Sequence, residues 1–150
     1  MVISRICTKK VITIEKNITL VEAARRMRES HVRDLVVVER KENLEVPIGM
    51  LTDRDIVIGV IADNIDRFSS VLVGDVMSDE LVTAREDENL TDVLERMGTF
   101  GVRHIPVVDA TGGLSGLLSF DDIICLIAFQ MKDLATLICS EREREMEERA

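Results

Sequence analysis

The sequence predicts a mixed α/β (α+β) fold made of two pseudo-symmetric β-α-β-β-α repeats that share one core. Three observations carry that prediction. Residues 11–39 match residues 81–109 without a gap, pairing Thr13 with Thr83, Leu20 with Leu90, Arg26 with Arg96, Met27 with Met97, Arg33 with Arg103 and Val37-Val38 with Val107-Val108. After a loop of different length the echo resumes, Gly49-Met50-Leu51-Thr52-Asp53-Arg54-Asp55-Ile56 answering Gly116-Leu117-Leu118-Ser119-Phe120-Asp121-Asp122-Ile123. Within each copy the apolar spacing is first strand-like, then helix-like, then strand-like again. A unit of about 60 residues buries only about 60% of its unfolded surface and is marginal alone, so the copies are expected to pack on each other. The expected divisions are 1–68, 69–135 and a charged helical extension over 136–150.

Each element follows from local chemistry. Val11 to Ile14 alternates as a short strand, and Thr19 stands three residues before Glu22, the spacing of a capping box that opens a helix. Leu20, Ala23, Ala24 and Met27 give that helix an apolar stripe, repeated by Leu90, Val93, Leu94 and Met97 behind Asn89. The runs Asp34 to Val38 and His104 to Val108 are β-branched and suit strands buried on both faces. Each is followed by a hairpin: Thr111-Gly112-Gly113 marks the turn in the second copy, and the polar stretch Arg40 to Glu45 forms a longer loop in the first. The returning strands, Gly49 to Leu51 and Gly116 to Leu118, run straight into helices capped by Thr52 and Ser119. The last helix has no Gly or Pro to stop it from Asp121 onward, and its stripe from Ile127 to Ile138 is long enough to be expected against a partner subunit, or else over its own module.

Composition narrows the function classes. Hydrophobic residues make up 46% of the chain and charged residues 31%, a globular balance. The longest apolar run, Ile123 to Phe129, falls short of the roughly 20 residues that cross a bilayer, so no membrane association is expected. Cys7, Cys125 and Cys139 are odd in number and lack metal-site spacing; buried, reduced thiols in a cytoplasmic protein are expected. With two histidines, a net charge of −9 and neither Trp nor Tyr, a structural zinc site and general nucleic-acid binding are both disfavoured.

The duplicated order, each copy led in by a segment like Val73-Gly74-Asp75-Val76-Met77 (Ile3-Ser4-Arg5-Ile6-Cys7 in the first), then a β-branched strand and a Gly-h-h-[Ser/Thr]-x-x-Asp stretch, resembles a pair of cystathionine β-synthase (CBS) domains, the Bateman module. The resemblance covers residues 1 to about 135 and leaves nothing over for an attached catalytic or transport domain, so the chain resembles the stand-alone type. It implies that Asp55 and Asp122 grip ribose hydroxyls while Thr52 and Ser119 help hold phosphate at a helix N-terminus. The same spacing is that of a helix cap, so both readings stand for these four residues. It further implies phosphate contacts by basic residues just before the central strands, which fits Arg103 and His104; Arg33 has the acidic Asp34 beside it. The Ser119/Asp122 cleft is therefore expected to be the better phosphate site. Adenine contacts are implied for Ile12-Thr13 and Val82-Thr83, where core packing is the alternative.

Two function classes follow. One is a regulatory module that senses an adenosine-containing ligand (AMP, ADP, ATP or S-adenosylmethionine), needs no cofactor for chemistry, pairs as a homodimer and passes occupancy to a regulated protein of unknown identity. The other is a structural interaction module with empty or vestigial clefts. An enzyme is not expected, since no nucleophile–base pair, metal-ligand cluster or P-loop is present in the sequence.

Overall fold

The computed structural model describes residues 1–149. Strand β1 (Thr13–Glu15) leads into α1 (Leu20–Ser30), whose first turn is closed by Thr19 Oγ1 accepting from the Glu22 amide at 3.3 Å. The helix ends on His31 in the left-handed conformation, φ 55°, its amide turned back to the last carbonyls. Strands β2 (Asp34–Lys41) and β3 (Leu44–Thr52) form the hairpin, β1 pairing parallel with β2 and β2 antiparallel with β3. The second copy repeats this with β4 (Ala84–Arg85), α5 (Leu90–Phe100), β5 (His104–Val108) and β6 (Leu114–Ser119); α5 ends on Gly101 at φ 64°, the counterpart of His31. Both hairpins shift register at the same place, between Val37 and Val38 and between Val107 and Val108. The Arg26 and Arg96 guanidiniums donate to the carbonyls of Thr13 and Thr83 at 2.7 and 2.8 Å, tying each α-helix to its first strand.

The apolar interior gathers in two clusters, and what joins them is an exchange of the lead-in segments. Ile3 and Cys7 are buried with Val93, Ile105, Val107 and Leu118 of the second repeat, whereas Val73 is buried with Leu20, Leu35, Val37 and Leu51 of the first. Thr8 bridges Leu117 on β6, and Ser78 bridges Met50 on β3. The crossing strands explain two glycines. A Cβ at Gly49 would lie 2.6 Å from the Ser78 carbonyl oxygen, and one at Gly116 would lie 2.7 Å from Cys7 Sγ. The expected divisions by sequence position therefore cut across the packing: residues 1–8 complete the second repeat, and 71–77 complete the first.

The repeats part company after their hairpins. In the first, α2 (Asp53–Ile56) passes into a π-helical turn over Val57–Ile61 and then α3 (Ala62–Asn64), and α4 (Val73–Val76) begins the return. In the second, α6 runs unbroken over Phe120–Glu148, 29 residues. No break separates the second repeat from the charged extension expected from 136; Ala150 lies outside the described residues. By length and composition alone α6 could reach across a bilayer, which the shorter run Ile123 to Phe129 had not indicated. Cys7 is buried as expected, but Cys125 and Cys139 are exposed, because α6 leaves the body after its first turns and buries only Ile123.

Candidate functional site

The central strands of the two repeats begin side by side, so equivalent residues meet across the pseudo-twofold axis. His104 Nε2 stands 3.4 Å from Asp34 Oδ1, both half-buried, and this pair forms part of the wall of two clefts. The larger, about 550 Å³, is lined by Thr52 and Asp55 from the first repeat and by Val82, Arg103 and His104 from the second, with Arg33 and Asp34 between them. The smaller, about 260 Å³, is lined by Ser119 and Asp122 from the second repeat and by Ile12, Lys10 and Arg33 from the first, again with Asp34 and His104. Ligand sites generally occupy about 300–1,000 Å³, which only the larger cleft reaches.

The expected partnerships are crossed. Arg103 lines the cleft of Thr52 and Asp55 and not that of Ser119 and Asp122, while Arg33 lines both. His104 lines both clefts. Ile12 lines the cleft of Ser119 and Asp122 and Val82 that of Thr52 and Asp55, while Thr13 and Thr83 line neither and serve through their carbonyls as anchors for Arg26 and Arg96.

Both helix starts are closed capping boxes. The Thr52 amide donates to Asp55 Oδ2 at 2.8 Å, and the Asp55 amide donates to Thr52 Oγ1 at 3.1 Å. In the second repeat the Ser119 amide and hydroxyl both donate to Asp122 Oδ2, and the Asp122 amide donates to Ser119 Oγ at 3.0 Å. Each carboxylate spends Oδ2 on the cap, leaving Oδ1 without a protein hydrogen bond among the described residues. A carboxylate oxygen held in this way can accept hydroxyl protons at no cost in ordering. Cap and ligand group are thus compatible roles for one side chain.

The charges around the larger cleft are mixed. Arg33, Arg54 and Arg103 are set against Asp34, Asp53, Asp55 and Glu80. Sequence reasoning passed over Asp121, at the start of α6, on which the two equivalent arginines converge: Arg33 reaches its Oδ2 at 3.3 Å and Arg103 its Oδ1 at 3.4 Å. Arg103 also lies over the Phe120 ring, 5.5 Å from its centroid. The signal for Asp121 was present in its place one residue before Asp122, but only the fold shows that both arginines reach it.

The family description for the CBS domain matches residues 3–61 and 73–128. An uncharacterized protein of Methanopyrus kandleri, MK0525, is 33% identical over 122 residues, 81% of this chain but 60% of its own length. Among solved structures, the CBS domain pair of protein MJ0100 in complex with 5′-methylthioadenosine and S-adenosyl-L-methionine superposes with a TM-score of 0.74 at 25% identity, covering 87% of this chain and 98% of that one. The hexameric CBS-CP12 protein from bloom-forming cyanobacteria superposes with a TM-score of 0.70 at 27% identity, over 83% of this chain and 69% of that one. With both repeats matched in sequence and in fold, this chain belongs to the CBS domain family, as a tandem pair of CBS domains.

Proposed function

We propose that the protein is a regulatory, non-catalytic module that binds an adenosine-containing ligand in the larger cleft and acts as a homo-oligomer in the cytoplasm. The observation that carries this reading is the composition of that cleft, in which Asp55 Oδ1 stands ready for ribose hydroxyls on one repeat while Val82 and Arg103 close it from the other. A ligand seated there touches both repeats, so its binding energy is available to favour one relative placement of the two over another. The MJ0100 pair, of the same fold, is the relative whose complex with adenosyl ligands supports the ligand class.

The charge balance favours a ligand of low net charge. Four carboxylates and three guanidiniums around the cleft give a triphosphate no net attraction, and Arg33 and Arg103 are already shared with Asp121. An adenosyl compound of low charge, such as S-adenosylmethionine or, with a phosphate of about −1.5 to −2, AMP, fits better than ATP. The measurement is thermal unfolding against a panel of S-adenosylmethionine, methylthioadenosine, AMP, ADP and ATP. A true ligand at 100 times its dissociation constant adds about 2.7 kcal/mol of stability. Stabilisation by the first three and little by ATP is expected. No shift with any of them would leave the clefts as structural seams, closed by caps that are already satisfied.

A further inference from the structure

The family match ends at residue 128, yet α6 continues to Glu148 with its side chains exposed. That distal stretch is about 30 Å of helix at 1.5 Å per residue. Exposed large apolar side chains recur along α6 with the spacing of a coiled coil: Phe120, Ile124, Ile127, Met131, Leu134 and Ile138 are separated by four, three, four, three and four residues, and are 43–66% exposed. This is an unbroken a/d seam of two and a half heptads. A single helix of this length without burial is marginal in water, so its seam calls for a partner.

We propose that this seam pairs antiparallel with the α6 of a second copy. The proposal rests on the homo-oligomer reading above and specifies its interface. A second copy satisfies the seam residue for residue. In one antiparallel register Phe120 meets the other copy's Ile138, Ile124 meets Leu134 and Ile127 meets Met131, so all six apolar layers are matched. The twofold axis of this register falls at the level of residue 129, between the two Ile127–Met131 layers. Charge decides the direction. In a parallel pair the next seam positions, Glu141 and Glu145, would face their own copies across the interface. The antiparallel pair separates them and carries each tail, with five glutamates against three arginines over 141–149, to the other copy's α6 start. There Arg33 and Arg103 are 72% and 69% exposed around Asp121, beside the larger cleft. The tail of one copy thereby lies beside the ligand cleft of the other. A bilayer fits this helix less well, because Lys132 and Asp133 interrupt the apolar stretch in mid-helix.

The test uses the full chain in a Cys125→Ser, Cys139→Ser background. Sedimentation equilibrium is expected to show a dimer, and Met131→Lys with Leu134→Lys is expected to weaken self-association roughly thirtyfold or more, a hot-spot-sized loss. Both positions lie beyond the packed body, so an unchanged thermal response to S-adenosylmethionine is expected in the same variant. Mixed chains carrying Ile124→Cys or Leu134→Cys are expected to join to each other by an intermolecular disulfide on mild oxidation while neither joins to its own kind, a pattern that a parallel seam would reverse. A dimer that persists in the lysine variant, or like-with-like cross-linking in place of the mixed disulfide, overturns the seam while leaving the oligomer reading intact. A monomeric parent overturns both. A parent that instead floats with phosphatidylcholine–phosphatidylglycerol vesicles, and loses flotation with the lysine pair, assigns the face to a membrane and also overturns the proposal.

Discussion

Asp55 carries the residue-scale case, because its two oxygens have different duties. Asp55→Asn keeps an oxygen for the Thr52 amide and so preserves the cap, but it replaces the charged acceptor facing the cleft. Loss of ligand affinity by roughly 1.5–3 kcal/mol is expected, the worth of hydrogen bonds to a charged group, with little change in apo melting. Asp122→Asn should cost less, because its cleft is half the size; isothermal calorimetry on the two variants ranks them, and the reverse order would return the site to the smaller cleft. Arg103→Ala separates recognition from stability in the same way. Its ion pair with Asp121 is exposed and contributes at most about 1 kcal/mol, so the apo protein should melt almost unchanged, while stabilisation by AMP falls and that by phosphate-free methylthioadenosine does not. Outside the clefts, Asp109 offers a pH signature. The Thr111 hydroxyl, then the Thr111 amide, hold its carboxyl below the ordinary aspartate value of 3.8 by bonding the ionised form. A group depressed in the folded state contributes stability above its unfolded value and loses it as pH falls through the lower folded one. NMR titration should therefore place Asp109 below 3.8, and Asp109→Asn should soften acid unfolding only below about pH 4. These residues show what the sequence made legible. The Ser/Thr-x-x-Asp spacing marked both caps, since that geometry is local. Which arginine shares a cleft with which aspartate was not legible, because it depends on how two repeats face each other across an axis.

At the scale of elements, the repeat was readable because each helix and strand carries its own periodicity, down to the matched register shifts at Val37/Val38 and Val107/Val108. The lead-in segments were not, since a short apolar turn such as Ile3–Arg5 or Val73–Val76 packs equally well on either sheet by composition alone. The glycines held the missing information. Gly49 and Gly116 fall at equivalent register positions, opposite Val37 and Val107, and each makes room for the exchanged segment. The two sites differ in what would have to yield. At Gly49 the obstruction is a backbone carbonyl bonded into the Met50–Ser78 bridge, whereas at Gly116 it is first a cysteine side chain and then the Thr8 carbonyl at 3.1 Å. Overpacking of this kind costs about 1–3 kcal/mol. Gly49→Ala should fall at the upper end and Gly116→Ala lower, and in chemical denaturation Cys7→Ala should recover part of the loss in the second variant but none in the first.

At the scale of the whole molecule, the exchange of lead-ins makes two small repeats into one cooperative body. Each apolar cluster is closed by a segment that belongs, in chain order, to the other half, so neither half can unfold without stripping a buried residue from its neighbour. Ile3 is the sharpest case. It is fully buried among second-repeat residues, its amide donates to the Glu88 carbonyl at 3.1 Å, and 80 or so residues separate it in sequence from the core it completes. Truncating such a side chain removes its transfer energy and leaves a cavity, together worth about 2–5 kcal/mol. If the repeats were independent, Ile3→Ala would lower the melting of the second repeat alone, and calorimetry would resolve two transitions. Because Val73 makes the reciprocal contact in the first cluster, we expect a single transition in the parent chain and in both Ile3→Ala and Val73→Ala, each displaced to lower temperature as a whole. Two separable transitions in either variant would show that the exchange links the repeats sterically but not energetically, and would remove the route by which a ligand bridging them stabilises the entire module.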